Sequence, residues 1–328
     1  MVSVAIATWN GERYLREQLD TIYAQTWRPL EVVVSDDAST DGTVAILEQY
    51  KRDYGLRYIA NSEQQGLVKN FEQSIKMASG EFIALSDQDD IWKPHKIARL
   101  VDRIGDATLI YCNVNEVLDL DGQRRYENRF EPISRFARVH GSGRPTRYLI
   151  AENWVVSHGI LFRRELMEHA LPIPKHQRFH DGWLALVASK LNGIIYLNET
   201  LQTYRRHPAS YTFIPAQAVP ATSRWSRLVN GHFGASWRLR CASETARLGD
   251  VLNLALLDAE DREFTLDLLR YYRSGLETGH RWESFCSGIR VSKFFSTQQK
   301  PLERWRMPLK GLLAGGAILE ETTGSAHA

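Results

Sequence analysis

Long apolar runs and paired cysteines are both missing from this sequence of 328 residues. No apolar stretch reaches the roughly 18 to 20 residues that a membrane-spanning helix needs. The three cysteines, Cys112, Cys241 and Cys286, are odd in number and lack metal-ligand spacing, which argues against a disulfide framework. Met1 leads directly into the strand-like run VSVAIAT, without the basic segment that opens a signal peptide. We therefore expect a cytoplasmic protein with reduced thiols.

An excess of charge of one sign is also absent. Lys and Arg number 41 against 39 Asp and Glu, and the net charge of +2 gives no reason to expect a nucleic-acid partner. The first strand-like run is followed by TWNGERYL, which contains neither G-x-G-x-x-G nor a glycine-rich basic loop. These absences argue against an NAD-dependent oxidoreductase and against a nucleotidyltransferase. The 43% hydrophobic and 24% charged residues are typical of a globular protein.

Short apolar runs alternate with helically spaced segments over the first 112 residues. The runs predict five buried strands: Val2 to Thr8, Leu30 to Ser35, Leu56 to Ala60, Glu81 to Ser86 and Thr108 to Cys112. Strand–helix alternation with short connections predicts an α/β fold, with a Rossmann-like, mainly parallel central sheet flanked by helices. Ligands of such sheets bind beyond the carboxyl ends of the strands, so the polar residues that follow each strand are the ones to consider.

The pattern changes twice further along the chain. Residues 119 to 122, DLDG, predict a hairpin turn, and a second strand–helix–strand passage runs from 154 to 206. Pro215 and Pro220 bracket a linker, after which the sequence predicts a mostly helical extension and a candidate dimerisation element. The segment 281–313 is basic and carries aromatic residues, which favours peripheral contact with an anionic membrane surface or, equally, a solvated helix face.

Two acidic blocks follow predicted strands. In SDDASTDGT, residues 35 to 43, one of the adjacent carboxylates Asp36 and Asp37 is suited to accept a nucleobase N–H, whereas helix capping explains Ser39 and Asp41. In SDQDDIW, residues 86 to 92, three aspartates within four residues offer the hard oxygen ligands of Mg²⁺ or Mn²⁺. The alternative for the second block is a polar loop that caps the helix starting near Pro94.

Two further blocks combine histidine with charged residues. In FHDGW, Asp181 near a helix N-terminus is stabilised as a carboxylate and is a candidate general base, although an N-cap explains it as well. In TYRRH, His207 is a candidate metal ligand, and Arg205 or Arg206 a candidate partner for phosphate. The alternative for this block is the end of a surface strand.

Together the four blocks resemble the family 2 glycosyltransferases. VSVAIATWNGERYLREQLDTIYAQT resembles the family's first strand and helix, VVVSDDASTDGT its nucleoside-binding block, and EFIALSDQDDIW its D-x-D block. The resemblance covers residues 1 to 211 and implies a GT-A fold. It implies a nucleotide-sugar-binding half over residues 1–112, an acceptor-binding and catalytic half over 113–214, and the helical extension over 215–328.

The resemblance also implies roles for individual residues. The residues implied to bind the nucleotide are Thr8, Trp9, Glu12, Asp37, Lys69 and Asp87. Asp181 matches the catalytic base of the inverting members, and Asp89 and His207 match ligands of a Mg²⁺ or Mn²⁺ cofactor. The implied enzyme moves a sugar from a nucleoside diphosphate to a saccharide or lipid-linked saccharide acceptor.

The combination of LSDQDDIWKP, HDGW and YRRH resembles the bacterial rhamnosyltransferase-like subgroup. This subgroup implies dTDP-L-rhamnose as donor and O-antigen or another surface polysaccharide as product. A UDP-hexose or UDP-N-acetylhexosamine transferase and a catalytically degenerate sugar-nucleotide-binding protein are the alternatives. His95 and Lys96 stand where many relatives carry an acidic residue, which we interpret as a change at a helix start with no bearing on catalysis.

Overall fold

The computed structural model describes residues 1–120, 123–127, 145–153, 155–210 and 235–274, together with residues 276, 286, 287 and 290. The chain divides into two compact units, one formed by 1–145 and 154–214 and the other by 146–153 and 215–328. Residues 121 and 122 of the predicted turn, the predicted linker at Pro215 and Pro220, and nearly all of the segment 281–313 lie outside the described residues.

The first unit begins with strands and helices in alternation. Its first four strands are β1 (Val2–Thr8), β2 (Leu30–Asp36), β3 (Arg57–Ala60) and β4 (Phe82–Ser86). The helices between them are α1 (Leu15–Tyr23), α2 (Thr43–Tyr54) and α3 (Leu67–Met77). Each of these strands matches a predicted one within a residue at either end.

The remaining strands belong to the same unit. They are β5 (Ile91–Trp92), β6 (Leu109–Leu120), β7 (Gln123–Glu127), β8 (Ile160–Arg163) and β9 (Ile194–Arg206). The helices in this stretch of chain are α4 (Lys96–Arg103), α5 (Thr146–Ala151, which belongs to the second unit), α6 (Leu166–Ala170) and α7 (His180–Lys190). A short 3₁₀ turn, Ser157–Gly159, precedes β8.

The nine strands form one sheet, in the order β3-β2-β1-β4-β8-β6-β9-β5, with β7 paired to β6. Strands β3, β2, β1 and β4 are mutually parallel, as the strand–helix alternation predicts, and β6 is parallel to β9. β8 lies antiparallel to both β4 and β6, and β5 is antiparallel to β9. The sheet, which was predicted to be mainly parallel, is parallel over its first four strands and mixed from the point where β8 enters between β4 and β6.

Strand β1 lies in the interior of the sheet, between β2 and β4. Every residue of β1 is buried, and its register pairs Thr8 with Asp36 at the last position of β2. Helix α1 covers the sheet with the predicted stripe, in which Leu15, Leu19 and Ile22 are fully buried. The carboxyl ends of β1 and β2 consequently meet at one edge, where their polar residues come together.

Strand β6 is longer than its apolar run. It was expected to end at Cys112 but continues to Leu120, with shifts in its register against β9 on both sides of Asn113. Irregularities of this kind place extra residues in a strand and break its two-residue alternation. Because Asn113 and Asn115 interrupt the apolar pattern, the sequence does not show this continuation.

The second unit is mostly helical in its described part. Helix α8 (Ala235–Leu252) and helix α9 (Ala259–Ser274) follow α5 in this unit. Arg147 of α5 pairs with Asp261 at 3.2 Å, and its guanidinium also bonds Glu260 of α9. Among the described residues, no helix is both long and apolar enough to cross a membrane.

Candidate active site

The ends of β1 and β2 are locked together by side chains. The Thr8 hydroxyl donates to Asp36 at 2.7 Å, and Asp36 also accepts from the backbone N–H and the hydroxyl of Ser39, at 2.9 and 2.6 Å. Asp41 accepts the N–H of Thr43 at 3.0 Å, at the start of α2. The N-cap residue of α2 is Gly42, without a side-chain cap, so the capping expected of Ser39 and Asp41 is replaced by bonds to Asp36 and to Thr43.

Asp37 connects the end of β2 to the start of α3. Its carboxylate accepts the backbone N–H groups of Gln65 at 2.6 Å and Gly66 at 3.0 Å, and its own N–H donates to the carbonyl of Thr8. Gly66 has a φ of 85°, a conformation that favours glycine. A carboxylate has about four lone-pair sites, so these bonds leave capacity for the predicted contact with a base.

Trp9 directly follows the last residue of β1, and half of its surface is exposed. The Gln88 side chain holds the Trp9 backbone at two points, accepting its N–H at 2.8 Å and donating to its carbonyl at 2.9 Å. A side chain at Gly11 would place its Cβ 2.4 Å from the Gln88 amide oxygen, so any other residue there would have to displace the Gln88 side chain. The loop after β1 is thereby fastened to the acidic loop, defined here as residues 87 to 90.

Glu12 and Lys69, which were also predicted to contact the nucleotide, have clear protein partners. Glu12 accepts the N–H of Gly42 at 2.9 Å, at the start of α2. The Lys69 ammonium lies 2.9 Å from Glu72 and 3.5 Å from the carbonyl of Ile173, with about half of the side chain exposed. Their roles toward a nucleotide stay predictions.

The acidic loop is paired with one imidazole at each end. Asp89 Oδ2 lies 2.9 Å from His207 Nε2, so the structure brings the predicted pair together. Asp87 Oδ2 lies 3.1 Å from His158 Nδ1, a contact that the sequence did not indicate. Asp90, the third aspartate of the block predicted to offer oxygen ligands, had no individual role assigned; it is fully buried and lies 3.8 Å from the same nitrogen.

Burial sets the protonation of this loop. It raises the pKa of Asp90 to about 7, and it raises the pKa of Asp89 despite the hydrogen bond from His207. Burial acts in the same direction on Asp87, but the hydrogen bond and charge of His158 outweigh it and hold the pKa of Asp87 below its ordinary value. Carboxylates buried this closely are stable when one is protonated or when a cation binds them, because like charges repel strongly away from water.

The 3₁₀ turn brings Asp181 to this loop. The Asp181 carboxylate accepts the backbone N–H of Ser157 at 3.1 Å and that of Gly182 at 2.6 Å. The next residue of the turn, His158, is the one that contacts Asp87. Burial raises the pKa of Asp181 to about 7, although the two backbone hydrogen bonds oppose this rise. Its bond to Ser157 reaches outside its own helix, so an N-cap role does not account for Asp181.

His180, beside Asp181 in sequence, supports the same turn. Its ring stacks on Phe71 with centroids 3.8 Å apart, and its Nε2 lies 2.6 Å from the hydroxyl of Ser157. Burial lowers the pKa of His180 to about 4, so the ring is neutral at pH 7. A neutral buried imidazole bonded to Ser157 fixes the position from which the Ser157 N–H meets Asp181.

Lys96 is the first residue of α4 and also hydrogen-bonds the turn Ser157–Gly159. Its side chain is fully buried, and the ammonium donates to the carbonyl of His158 at 2.6 Å and to the amide oxygen of Gln202. It also lies 3.4 Å from the ring centroid of Trp92. Because Lys96 holds the backbone of His158, we revise the interpretation that this position has no bearing on the site.

Arg205 ties the acidic loop to two other elements. Its Nε donates to the carbonyl of Asp89 at 2.8 Å, and its other nitrogens lie 3.1 Å from Asp119 and 2.6 Å from Glu17. The side chain is fully buried, so TYRRH is not a surface strand end at this residue. Because Arg205 has no exposed surface, it does not contact the phosphate that was proposed as its partner. Arg206, the alternative candidate, bonds Glu116 at 2.8 Å.

The side chains around the loop suit a divalent cation. Asp87, Asp90 and His158 each offer one ligand atom, and these atoms all lie within 4.8 Å of one another. Asp89 and His207 add a carboxylate and an imidazole at the other end of the loop. Carboxylates are the usual ligands of Mg²⁺ and Mn²⁺, and imidazole favours transition metals over Mg²⁺. The residues present therefore fit the predicted cofactor.

Solved structures share this fold. The chain is similar to the structure of residues 1–349 of Staphylococcus aureus TarS in complex with UDP, with a TM-score of 0.58 and 18% identity over 99% of this chain and 92% of that one. It is also similar to the mannosyltransferase PcManGT of Pyrobaculum calidifontis in complex with GDP-Man and Mn²⁺, with a TM-score of 0.54 and 18% identity, covering 99% and 87% of the two chains. At these identities the likeness shows the fold, and it confirms the predicted GT-A class.

Sequence relatives add the family. An uncharacterized glycosyltransferase of Nostoc sp. is 30% identical over 227 residues, which cover 66% of this chain and 68% of the relative. An uncharacterized protein of Mycobacterium tuberculosis is 30% identical over 219 residues, covering 63% of this chain and 59% of that protein's length. The match thus spans less than two thirds of the mycobacterial relative. The model of Glycosyl transferase family 2 matches residues 3–170, just over half of the sequence, and the chain belongs to this family.

Proposed function

We propose that the chain is an inverting glycosyltransferase that moves a sugar from a nucleoside diphosphate to a hydroxyl of a saccharide acceptor, with a divalent cation in the site. The observation that carries this proposal is the turn Ser157–Gly159, because adjacent residues of the turn contact Asp181 and Asp87. A candidate base and a candidate cation site are thereby held side by side. Transfer from a nucleotide sugar needs both within reach of one sugar carbon.

The donor is expected to bind along the carboxyl edge of β1 and β2. Trp9 follows β1 and offers a half-exposed indole, and Asp37 follows β2 and offers a carboxylate, a combination that suits a flat base with an N–H donor. Gln88 joins this end of the site to the acidic loop, so base and diphosphate contacts are set by one connected structure. Binding energy at the base can then position the diphosphate.

In the proposed mechanism the cation is held by Asp89 and His207 together with the other carboxylates of the acidic loop. When bound, it supplies positive charge to the diphosphate leaving group. Arg205 holds the backbone of the acidic loop at the Asp89 carbonyl, and Lys96 holds the turn at the His158 carbonyl. Both residues position other groups and neither has exposed surface with which to touch substrate.

Asp181 is the proposed general base. With a pKa raised to about 7 by burial, its ionised form is a stronger base than an ordinary aspartate and is present at neutral pH. It takes the proton from the acceptor hydroxyl while that oxygen attacks C1 of the donor sugar opposite the diphosphate. The bond from C1 to the acceptor oxygen forms as the bond from C1 to the phosphate oxygen breaks. One displacement inverts the configuration at C1.

The donor sugar is proposed from the motifs. LSDQDDIWKP, HDGW and YRRH favour dTDP-L-rhamnose, and the acceptor would be a saccharide or lipid-linked saccharide of a bacterial surface polysaccharide. UDP-hexoses and UDP-N-acetylhexosamines are the alternative donors. Structures of similar fold hold UDP-GlcNAc in TarS and GDP-Man in PcManGT, so this fold accommodates several nucleotides.

The first experiment is a thermal-shift panel of nucleotides and nucleotide sugars, with and without Mn²⁺. A ligand at 100 times its dissociation constant stabilises a protein by about 2.7 kcal/mol, a readily measured effect. A Mn²⁺-dependent shift with dTDP-rhamnose supports the rhamnosyltransferase proposal, and a shift with UDP-sugars alone replaces the donor. Absence of any shift contradicts the enzyme proposal. Binding without nucleotide release in the presence of a range of saccharide acceptors favours a degenerate binding protein.

A further inference from the structure

His158 is a buried imidazole that faces two carboxylates of the acidic loop. We infer that His158 is a ligand of the divalent cation and binds it together with Asp87 and Asp90. This inference rests on the proposed function, in which a cation occupies the loop. The motif resemblance assigned the metal to Asp89 and His207 and gave His158 no role.

The distances fit ligands of one ion. His158 Nδ1 lies 3.1 Å from Asp87 Oδ2 and 3.8 Å from Asp90 Oδ2. Adjacent ligands of an octahedral ion, each about 2.1 Å from it, lie about 3 Å from one another. Small movements of the three side chains therefore suffice to admit a cation among them.

Asp90 has spare capacity for such a contact. One of its oxygens accepts the backbone N–H of Arg205 at 3.2 Å, and the other accepts from the Gln202 amide at 3.3 Å. Both bonds are long, and each carboxylate oxygen has a second lone pair. Among the described residues these weak neutral donors are its hydrogen-bond partners, and a fully buried carboxylate with such partners favours a nearby cation.

The imidazole is fixed from two sides. The ring stacks on Tyr204 with centroids 4.7 Å apart and planes inclined by 11°, and Lys96 holds the carbonyl of His158 at 2.6 Å. Metal sites need ligands whose orientation is set before the ion arrives. The contacts to Tyr204 and Lys96 provide that orientation without using a ring nitrogen.

The hydrogen bonding of the His158 ring is incomplete among the described residues. His158 is only 5% exposed, yet within the part of the chain that the structure describes its Nε2 has no hydrogen-bond partner. Buried polar atoms are nearly always paired. The described residues therefore leave Nε2 without a hydrogen bond. The other ring nitrogen, Nδ1, faces the carboxylates of Asp87 and Asp90.

The test detects nitrogen bonded to the metal. Electron spin echo envelope modulation is recorded on the full chain with less than one equivalent of Mn²⁺, with and without UDP or dTDP. His207→Gln removes the second imidazole, His158→Gln removes the proposed ligand, and His95→Gln changes an exposed histidine at the start of α4 as a control. We expect nitrogen modulation in wild type, His95→Gln and His207→Gln, a weaker signal in His158→Gln, and none in the double variant.

Mn²⁺ affinity is measured on the same proteins. We expect it to fall at least tenfold in His158→Gln, with the fold verified by circular dichroism. Unchanged affinity and modulation in His158→Gln, or no nitrogen signal in wild type, would overturn the inference. If His158→Gln binds no Mn²⁺, the His207→Gln protein decides, because loss of its modulation overturns the inference and persistence supports it. If the protein binds Mn²⁺ and nucleotide but shows no modulation from His158, the inference fails and the proposed function stands. If the protein binds no nucleotide, the proposed function itself is contradicted.

Discussion

Ser157 donates its backbone N–H to the carboxylate of Asp181 at 3.1 Å, and the two residues belong to different elements of the same unit. The ring of the next residue, His158, lies 3.1 Å from Asp87 in the acidic loop. One short turn therefore holds a candidate base and a candidate cation ligand. Any change that moves this turn is expected to affect both parts of the proposed reaction at once.

The pH dependence of transfer should report Asp181. Because burial raises its pKa to about 7 and a base acts in its ionised form, we expect kcat/KM to rise as the pH increases through about 7 and then to level off. Asp181→Ala should lower kcat by about 10²- to 10⁴-fold, since that is the usual contribution of a general base.

Nucleotide affinity is the control for this prediction. Asp181 hydrogen-bonds Ser157 and Gly182, neither of which is proposed to touch the nucleotide, and we expect Asp181→Ala to leave nucleotide binding largely intact as long as the turn keeps its place. Initial rates across the neutral range and binding titrations check both expectations. Near-normal turnover in Asp181→Ala, or a wild-type rate that does not change through neutral pH, would remove Asp181 from the role of base.

Substitution of Lys96 should loosen the turn Ser157–Gly159, because Lys96 donates to the carbonyl of His158. Lys96→Met keeps much of the buried volume but leaves the carbonyl of His158 and the amide oxygen of Gln202 without their shared donor. Because these atoms position the turn, we expect kcat to fall tenfold or more and Mn²⁺ affinity to fall with it. His95→Ala, at an exposed neighbouring position, is the matched control and should change neither.

A purely structural role for Lys96 gives a different result. In that case Lys96→Met would lower the melting temperature while kcat and Mn²⁺ affinity of the folded protein stayed at wild-type values. Lys96→Arg keeps the charge but not the compact ammonium, and we expect it to recover only part of the activity. Full recovery by arginine would show that the charge alone is needed at this site.

The parts of the site that follow strands were accessible from the sequence. Asp37, Asp89 and Asp181 lie in polar blocks that end apolar runs or open a helix, and parallel strands bring such ends to one edge. The pairing of Asp89 with His207 also follows from two strand ends, those of β4 and β9. Periodicity and block order were sufficient for the fold class and for these placements.

The supporting residues were not accessible in the same way. His158 stands alone before a short strand, and Lys96 and Arg205 look like surface residues in sequence because charged side chains are rarely fully buried. Their partners lie far along the chain: Lys96 meets His158 and Gln202, and Arg205 meets Glu17. A local pattern contains no record of such distant partners, so only the tertiary structure reveals them.

Arg205 should be important for stability. Arg205→Met removes the guanidinium that lies 3.1 Å from Asp119 and 2.6 Å from Glu17, and Asp119 is almost fully buried. Breaking a buried ion pair by removing one partner costs about 3 to 5 kcal/mol. Arg206→Met is the matched control, because Arg206 is partly exposed and pairs only with Glu116 among its described ion-pair partners.

Denaturant unfolding of the two variants measures the difference. We expect Arg205→Met to lower the unfolding free energy by several times the loss in Arg206→Met. The double variant Arg205→Met with Asp119→Leu should recover part of the loss, because it removes the carboxylate left without its main partner. Equal losses in the two single variants would show that Arg205 does not have the structural role inferred from its burial.

Gln88 should set donor affinity through Trp9. Gln88→Ala removes both hydrogen bonds to the Trp9 backbone and so releases the loop that carries the exposed indole. Because Gln88 has no part in the proposed proton transfer, we expect KM for the nucleotide sugar to rise several-fold with little change in kcat.

The measurement is a set of saturation curves for wild type, Gln88→Ala, Trp9→Ala and the double variant. If Gln88 acts through Trp9, Gln88→Ala has a smaller effect on KM in the Trp9→Ala background than in wild type. Equal effects in both backgrounds would mean that the two residues act independently, and a fall in kcat alone would assign Gln88 to the cation end of the site instead.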